Sequence, residues 1–397
     1  MPQKVVIIGH GYTSRLSLAR SLGQCGCDVT LIVISFSKKN NSHQKPIDCY
    51  SKYVSRFFVI QSNRELLINV LLEKCIDMDQ KVLLLPDSDF SASVVDENLE
   101  QLSQYFICPN IKCEQGAIVT WMDKLRQKSA ASANGLNVAN GWKVSVRKGI
   151  FDIPSGITYP CFPKPLATIH GGKRGLKKCN NEAELRQVIQ VISQGSDCDV
   201  LVEEYLNITG EYALLGCSTS QGIIIPAFIH TTSLANGGHF GVAKTGEVIP
   251  ISDYTEIVEQ FKSLMQFIGF VGLFDIDFFE CDGKFYFGEI NFRFGGSGYA
   301  ITACGINLPE LYLKDIQGID ISDEEKMIYR KATFVNERMC VDDWMEGYIS
   351  TREQMKLLQS DAIHFVKNED DPGPYNRLKK VLPMLYAKRI AKQILHK

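Results

Sequence analysis

Residues 272–298 have the sequence GLFDIDFFECDGKFYFGEINFRFGGSG, in which acidic residues interrupt an apolar stretch at regular positions. Asp282-Gly283 is a dipeptide typical of two-residue β-hairpin turns, so an antiparallel strand is predicted on either side of it. Successive side chains of a strand point to opposite faces. Alternation therefore predicts one shared face formed by Asp275, Asp277 and Phe279 of the first strand and by Phe285, Phe287, Glu289 and Asn291 of the second.

The polar residues of this hairpin have the chemistry of a magnesium site. Carboxylate and amide oxygens on adjacent strands are ligands that Mg²⁺ prefers, and phosphate oxygens can complete its octahedron. Asp277, Glu289 and Asn291 are therefore predicted to bind Mg²⁺, with Mn²⁺ as the alternative metal. Arg293 is predicted to clamp the same phosphates. Acidic residues that only face water would not explain why this run continues into the Gly-Gly-Ser-Gly turn at 295–298.

Residues 1–117 have the pattern of an open, doubly wound α/β domain with a mostly parallel sheet. The predicted elements are strand 4–8, helix 16–22, strand 28–35, strand 81–86 and helix 95–106. The glycine turn 9–14 approximates a dinucleotide fingerprint, and Lys38 and Lys39 follow the second strand. An NADP-dependent reductase is therefore one alternative function.

The rest of the chain changes to an α+β pattern and then to a helical tail. Helices are predicted at 122–133, 182–193 and 255–268, with strands near 142–146, 159–164 and 200–204. In the tail, Ser350 is predicted to begin a helix. The last stretch, 376–397, is predicted to be helical, kinked at Pro383 and peripheral to catalysis. Its basic residues are predicted to be solvated, with contact to an acidic membrane surface as the alternative: Lys379, Lys380, Lys388, Arg389 and Lys392.

Composition excludes several classes of protein. The net charge of −2 and the dispersed basic residues argue against a nucleic-acid binder. No apolar run is long enough to span a membrane, and the short apolar N-terminus is interpreted as a strand and not as a signal peptide. The 13 cysteines are scattered without zinc or CxxC spacing. A cytoplasmic enzyme that acts on small molecules is therefore predicted.

The hairpin resembles the metal-binding hairpin of the ATP-grasp superfamily, and especially that of carbamoyl-phosphate synthase large-chain-like carboxylate-amine ligases. Other landmarks of that family occur in the same order between about 118 and 310. They are Met122-Asp123-Lys124, the strand 162–165 with Lys164, the glycine-rich loop 170–175, the segment 201–206, and Gly210-Glu211.

This resemblance implies a nucleotide site. Lys124 and Lys164 would contact nucleotide phosphate, and the loop with Gly171, Gly172 and Lys173 would cover it; Lys173 stands where many relatives have serine. Glu203 and the backbone of Glu204, Tyr205 and Leu206 would meet adenine, and Glu211 would meet ribose. Arg293, Lys164 and Lys173 are the predicted catalytic residues.

The resemblance also implies the domain organisation. Residues 1–117 would form the Rossmann-like domain that precedes ATP-grasp modules, and its strand ends at 9–12 and 87–89 would hold the carboxylate substrate. Residues 118–310 would form a two-lobed ATP-grasp domain with a mobile lid at about 125–202. Residues 311–397 would form a helical extension, whose Asp343-Trp344 and 371–374 faintly resemble D-aspartate ligase.

The predicted reaction joins a carboxylate to an amine through an acyl phosphate, with release of ADP and phosphate. His230 or His239 would orient the amine. An ATP-grasp carboxylase or phosphotransferase and a non-catalytic nucleotide sensor are alternatives. A homodimer is left open.

Overall fold

A computed structural model of the 397-residue chain describes residues 2–36, 45–166, 176–236 and 241–395. Among these residues, no helix is long and apolar enough to cross a membrane.

The N-terminal part of the chain is an open α/β layer. Its strands and helices are β1 (Lys4–Gly9), α1 (Tyr12–Gln24), β2 (Asp28–Ser35), β3 (Val54–Gln61), α2 (Arg64–Lys74), β4 (Val82–Pro86), α3 (Asp89–Glu97), α4 (Leu99–Leu102) and β5 (Phe106–Ile107). The strands lie in the order β3-β2-β1-β4-β5, and all pairs are parallel. Two apolar clusters cover the two faces, as expected for a parallel sheet. The predicted doubly wound arrangement is confirmed.

The predicted helix 95–106 is correct only in part: residues 95–97 and 99–102 are helical, but in two separate helices, and neither reaches 106. Ser88 caps α3 through the amide of Ser91, so the helix begins earlier, and it ends at Asn98, whose side chain donates to Val94 O at 2.8 Å. Phe106 instead lies in β5 beside Val82. The helical spacing of Val95, Leu99 and Leu102 predicts helix in this region but does not show where the helix ends.

The middle of the chain forms a small antiparallel sheet. The elements of this part of the chain are β6 (Asn110–Ile111), α5 (Ala117–Trp121), α6 (Lys124–Ala133), β7 (Asn137–Val138), β8 (Gly141–Val146), β9 (Cys161–Pro165), α7 (Glu182–Ser193) and β10 (Cys198–Glu204). The small sheet has the order β8-β10-β9, and α7 packs against one of its faces through an apolar cluster. The other face carries Lys164 and Glu203.

A larger sheet follows. It is built from β11 (Gly210–Thr219), β12 (Gly222–Ile224), β13 (Phe228–Leu234), β14 (Ala243–Ile249), α8 (Thr255–Ile268), β15 (Phe270–Cys281) and β16 (Lys284–Asn291). The main strand order is β18-β17-β14-β13-β11-β15-β16-β7, in which the tail supplies β17 (Ala332–Val335) and β18 (Ile363–His364). α8 and α6 cover one face. Part of the other face packs toward the N-terminal layer, because both contribute to one apolar cluster.

The rest of the chain, which includes the tail, is mainly helical, as predicted, and also contains two short strands. It comprises α9 (Gly298–Ala303), α10 (Leu308–Ile316), β17 (Ala332–Val335), α11 (Glu337–Glu346), α12 (Thr351–Leu358), β18 (Ile363–His364) and α13 (Gly373–Leu395). Leu378 in α13 packs with Val341, Val366 and Tyr12 of α1. The apolar side of the last helix therefore packs against the N-terminal layer, whereas the basic residues Lys379 and Lys380 are exposed.

Candidate functional site

The hairpin forms at the predicted turn. Asp282 and Gly283 have φ angles of 50° and 70°, the left-handed values that the tight turn requires. The strand register places Asp275 opposite Asn291 and Asp277 opposite Glu289. Facing residues of an antiparallel pair lie on the same side of the sheet. These four residues therefore share one side, which we call the cleft face.

The predicted alternation along β16 is wrong at one point. The register shifts after Asp277, so that Phe287, not Gly288, lies opposite Phe278. Gly288 is the extra residue of this bulge, and a Cβ there would lie 2.7 Å from the carbonyl oxygen of Asp277. Phe285 and Phe287 consequently lie on the opposite side from Glu289. The bulge turns the aromatic half of β16 to the core and the polar half to the cleft.

Arg293 is held among acidic and amide groups on the cleft face. Its Nε donates to Asp89 Oδ1 at 3.0 Å and its Nη2 to Asn291 Oδ1 at 3.2 Å, while Nη1 lies 3.7 Å from Asp275 Oδ2. Asn291 Nδ2 also donates to Asp277 Oδ2 at 3.4 Å. Burial alone would lower the pKa of the guanidinium, but Asp89 and Asp275 raise it. Arg293 is therefore a fixed cation.

Asp275 belongs to this cluster although the predicted metal ligands did not include it. Its side chain is buried, and within the described part of the chain its Oδ1 has no hydrogen-bond partner. Burial, and next the neighbouring Asp277, raise its pKa well above the ordinary value. The alternation that selected Asp277 also places Asp275 on the same face. The sequence therefore contained the information needed to place Asp275 in this cluster.

Helix α6 connects the hairpin with the small sheet. Lys124, in its first turn, forms an ion pair with Glu289. The Gln127 side chain donates to Ile290 O at 3.1 Å and accepts from Ile290 N at 2.8 Å. Lys128, one turn after Lys124, pairs with Glu203 at 2.7 Å. Residues three and four apart share one side of a helix, so a single stripe of α6 contacts both regions.

Glu203 is a shared acceptor for two lysines. Its Oε1 lies 2.7 Å from Lys128 Nζ, and its Oε2 lies 2.7 Å from Lys164 Nζ. Burial would raise the pKa of the carboxyl, but Lys164 and Lys128 outweigh it and the pKa is lowered. Glu203 is thus an anion between two cations. Lys128 was not identified from sequence, although its spacing of four from Lys124 is a usable signal.

The segment 204–206 leaves the small sheet with its first amides already bonded. Glu204 N donates to Asn140 O at 3.0 Å, and Tyr205 N donates to Pro160 O at 3.0 Å. An adenine ring would therefore have to use other backbone atoms here, including those of Leu206. Glu211 lies opposite Phe279, two residues beyond Asp277, and so lies on the cleft face.

Other predicted residues fall elsewhere. Gly171, Gly172, Lys173 and His239 lie outside the described residues. His230 lies opposite Tyr212, which in turn lies opposite Phe278, and its ring stacks on Tyr212 at 4.7 Å between centroids. His230 is therefore on the side of the sheet away from Asp277. The suggestion that it orients an amine at the cleft is wrong, because strand alternation turns it to the other face.

The strand ends of the N-terminal layer reach the same cleft. Asp89 begins α3 after β4 and contacts Arg293, as described above. Asp87 is buried and accepts from His10 N at 3.1 Å. A Cβ on Gly9 would fall on the Asp87 carboxylate, so only glycine fits there. The cleft therefore lies between the larger sheet and the carboxyl ends of β1 and β4.

The donor set suits a hard divalent cation. Asp277 and Glu289 offer carboxylate oxygens and Asn291 an amide oxygen, and Asp275 has a buried oxygen without a hydrogen bond. No preformed cage of three His, Cys, Asp or Glu side chains is found over the described ranges. Mg²⁺ is usually held by one or two carboxylates together with substrate phosphates. The arrangement fits a metal that arrives with its nucleotide.

Comparisons with known proteins agree with this geometry. Residues 129–308 match the family model of the ATP-grasp domain. The N5-carboxyaminoimidazole ribonucleotide synthase of Staphylococcus aureus (strain MRSA252) is 26% identical over 294 residues, which cover 73% of each chain. The solved N5-carboxyaminoimidazole synthetase from Staphylococcus aureus in complex with ADP has a TM-score of 0.59 at 20% identity, covering 84% of this chain and 82% of its own. An L-amino acid ligase from Bacillus licheniformis has a TM-score of 0.59 at 16% identity, covering 83% and 79%.

Proposed function

We propose that this chain, which carries an ATP-grasp domain, is an ATP-dependent ligase that joins a carboxylate to an amine through an acyl phosphate. An ATP-grasp domain was predicted from the hairpin and its upstream landmarks, and that domain is confirmed by the match over residues 129–308. The solved structures support the fold. The roles given below to single residues are part of the proposal.

The observation that carries the proposal is the bond between Arg293 and Asp89. Arg293 follows the hairpin strand β16, and Asp89 follows strand β4 of the N-terminal layer, so this 3.0 Å contact joins the two regions at one cleft. Ligands of open α/β sheets bind outside the carboxyl ends of the strands. A carboxylate held there would lie beside phosphates held by the hairpin.

Lysines line the nucleotide side of the cleft. Lys124 is at the hairpin, and Lys164 projects from β9, where Glu203 and then Glu289 raise its pKa against the effect of burial. Lys164 therefore remains a cation. Lys124 and Lys164 would neutralise charge on the transferred phosphoryl group, together with Arg293. The hydrogen bonds of Arg293 to Asp89 and Asn291 use two of its five donors, so further donors can serve a phosphate or carboxylate.

Asp277, Glu289 and Asn291 would hold Mg²⁺, which when bound supplies charge neutralisation at the phosphates. In the first step a carboxylate oxygen attacks the γ-phosphorus, and the bond to the β-phosphate oxygen breaks to release ADP. In the second step the amine nitrogen attacks the acyl carbon, loses a proton, and displaces phosphate. Holding the reactants in line in a cleft that excludes water supplies the catalysis. A nucleophilic side chain is not required.

A second candidate for the carboxylate is bicarbonate. The relatives that cover most of this chain are named as synthases of an N5-carboxyamino product. With bicarbonate in the first step, the same residues would make a carboxylated amine. This version keeps the ATP-grasp chemistry and changes only the acid.

The NADP-reductase alternative has less support. The buried Asp87 carboxyl occupies the space beside Gly9, at the turn where a dinucleotide would place its pyrophosphate. Fluorescence titration with NADPH tests this alternative, and micromolar binding would revive it.

An ADP-release screen tests the proposed function. Pairs of amino acids, dipeptides and other amines are supplied with ATP and Mg²⁺, with and without bicarbonate. Release that requires both a carboxylate and an amine supports the ligase. Release that requires bicarbonate supports the second candidate. Phosphate transfer to a single acceptor without an amine would contradict both.

A further inference from the structure

Two lysines share the carboxylate of Glu203, and they differ in how deeply they are buried and in what else they contact. Lys128 extends from the rigid helix α6, donates to Ala139 O at 3.0 Å as well as to Glu203, and has only 6% of its side chain exposed. Lys164 lies at the cleft and is 18% exposed. Lys128 is thus fixed within the protein. Lys164 is the lysine that faces arriving ligands.

We propose that Lys128 is a positioning residue, which keeps Glu203 charged and oriented for the adenine amino group while Lys164 binds nucleotide phosphate. This inference rests on the proposed function, because it assumes that ATP occupies the cleft. Leaving a buried charge without a partner is strongly destabilising. When Lys164 turns to a phosphate, Lys128 stays beside Glu203, so the buried carboxylate still has a positively charged partner.

The position of the two lysines on Glu203 supports this division. Lys128 contacts Oε1 and Lys164 contacts Oε2, so the carboxylate is held from two directions. Departure of Lys164 would free Oε2, while Oε1 stays bonded to α6. A single free oxygen of fixed direction is what recognition of one N–H donor requires.

The consequence is a preference between purine bases. Adenine presents an amino donor at the position where guanine presents a carbonyl acceptor. An anionic carboxylate accepts from the first and repels the second. Lys128 would therefore act through Glu203 on base selection, without touching the nucleotide.

Helix α6 contacts the hairpin through residues other than Lys128, so a change at Lys128 can alter Glu203 without altering the hairpin. Lys124 contacts Glu289 one turn earlier, and Gln127 fixes α6 to the backbone of Ile290. Removal of the Lys128 amine leaves these contacts in place. Binding of the base should be affected much more than phosphoryl transfer.

The test compares Lys128→Met with Lys128→Arg, which can still reach a carboxylate. The matched control is Lys143→Met, because Lys143 is an exposed lysine of β8 that pairs with Asp199 at 2.8 Å. KM and kcat are measured with ATP and with GTP. For Lys128→Met we expect KM for ATP to rise about 10- to 100-fold, kcat to change less than about 3-fold, and the preference for ATP over GTP to fall about 10-fold or more.

Lys128→Arg should recover most of the ATP preference, and Lys143→Met should match the wild type. A second measurement is a double-mutant cycle in which Lys128→Met is added to Glu203→Gln. Little further loss of ATP preference is expected if Lys128 acts through Glu203. Additive losses, or a Lys128→Met variant with unchanged KM and base preference, would overturn the inference.

Calorimetric titration of the wild type with ATP and Mg²⁺ separates the two levels of the argument. Wild-type binding with an unaltered Lys128→Met variant overturns the positioning role alone. A folded wild type that does not bind ATP overturns the proposed function and this inference together. If Lys128→Met does not fold, Lys128→Gln and the Arg variant are compared on the same base-preference scale, and equal preferences count against the role.

Discussion

Two buried ionic clusters of this molecule differ in how fully their groups are bonded. In the first cluster, Arg20 of α1 donates to three groups of the tail. These are Asp371 Oδ2 at 2.9 Å and the carbonyl oxygens of Phe365 and Val366 at 2.8 Å each. Asp371 Oδ1 accepts from Lys52 N at 2.8 Å. Arg20 and Asp371 are both fully buried. We call this group the tail clamp.

The cleft cluster is bonded less completely. Asp275 has an oxygen without a hydrogen bond, and the side chains of Arg293 and Asp89 are 21% and 17% exposed. Several acidic groups meet there on one face of one hairpin. Buried polar groups are normally satisfied, so a crowded and partly unsatisfied cluster indicates a place for a ligand. The tail clamp, by contrast, holds the tail against the N-terminal layer.

Breaking the tail clamp should give the largest change in stability. Asp371→Asn leaves Arg20 buried without its counter-charge, and such losses typically cost about 3–5 kcal/mol. The free energy of unfolding is measured by urea titration. Activity per folded molecule should remain near the wild-type value. The control is Asp323→Asn, which removes an exposed partner of Lys326. Equal stability of the two variants would contradict the assignment of the clamp.

Arg293→Lys should lower activity strongly and stability little, which is the opposite of the effect of Asp371→Asn. The charge is retained, but the forked donors that reach Asp89 and Asn291 together are lost. We expect kcat to fall about 100-fold, or about 2.7 kcal/mol, with a much smaller change in the free energy of unfolding. Steady-state kinetics and urea titration check the two parts. Arg338→Lys, at an exposed pair with Asp342, is the control. A stable, fully active Arg293→Lys enzyme would remove Arg293 from the site.

Asp87 should make stability depend on pH. Burial raises the pKa of this carboxyl to about 7 against an ordinary value of 3.8. The folded protein then holds the proton more tightly than the unfolded chain, so stability falls as pH rises from about 4 to about 7. Relative to Asp87→Asn, the wild type should lose free energy of unfolding over this range, with an upper bound of about 4 kcal/mol.

Urea titrations at several pH values check this effect. Asp77→Asn is the control of opposite sign, because the hydrogen bond from Lys4 lowers the pKa of Asp77. Parallel pH profiles for the wild type and Asp87→Asn would show that Asp87 ionises normally in the folded protein.

The sequence predicted the elements that follow from periodicity and from turn chemistry. The hairpin turn at Asp282-Gly283 and the helices Glu182–Ser193 and Thr255–Ile268 were predicted at the positions where they occur. The bulge at Gly288 was missed, because one added residue shifts a strand's faces without changing its composition. The spacing of four from Lys124 was the only local signal for Lys128, because its partner Glu203 lies 75 residues away and the fold brings them together.

The packing of α13 also could not be predicted from its sequence. The stretch combines basic and apolar residues around Pro383, which suits either solvation or contact. Its partners Tyr12 and Val341 come from distant parts of the chain. The tail clamp has the same origin, because Arg20 and Asp371 are 351 residues apart. Long-range pairing of this kind leaves no local pattern.

The central claim, that the hairpin holds the metal and phosphates of ATP, is tested most directly by Mg²⁺-dependent ATP turnover in Glu289→Gln and Glu280→Gln. Glu289 lies on the cleft face, whereas Glu280 lies on the opposite side and accepts from Tyr212 Oη at 3.1 Å. Loss of a group that stabilises developing charge commonly costs about 3–4 kcal/mol, so turnover by Glu289→Gln should fall about 10²- to 10³-fold with a higher Mg²⁺ requirement. Glu280→Gln should stay within about 3-fold of the wild type. Comparable turnover in the two variants would contradict the metal assignment and the ligase mechanism built on it.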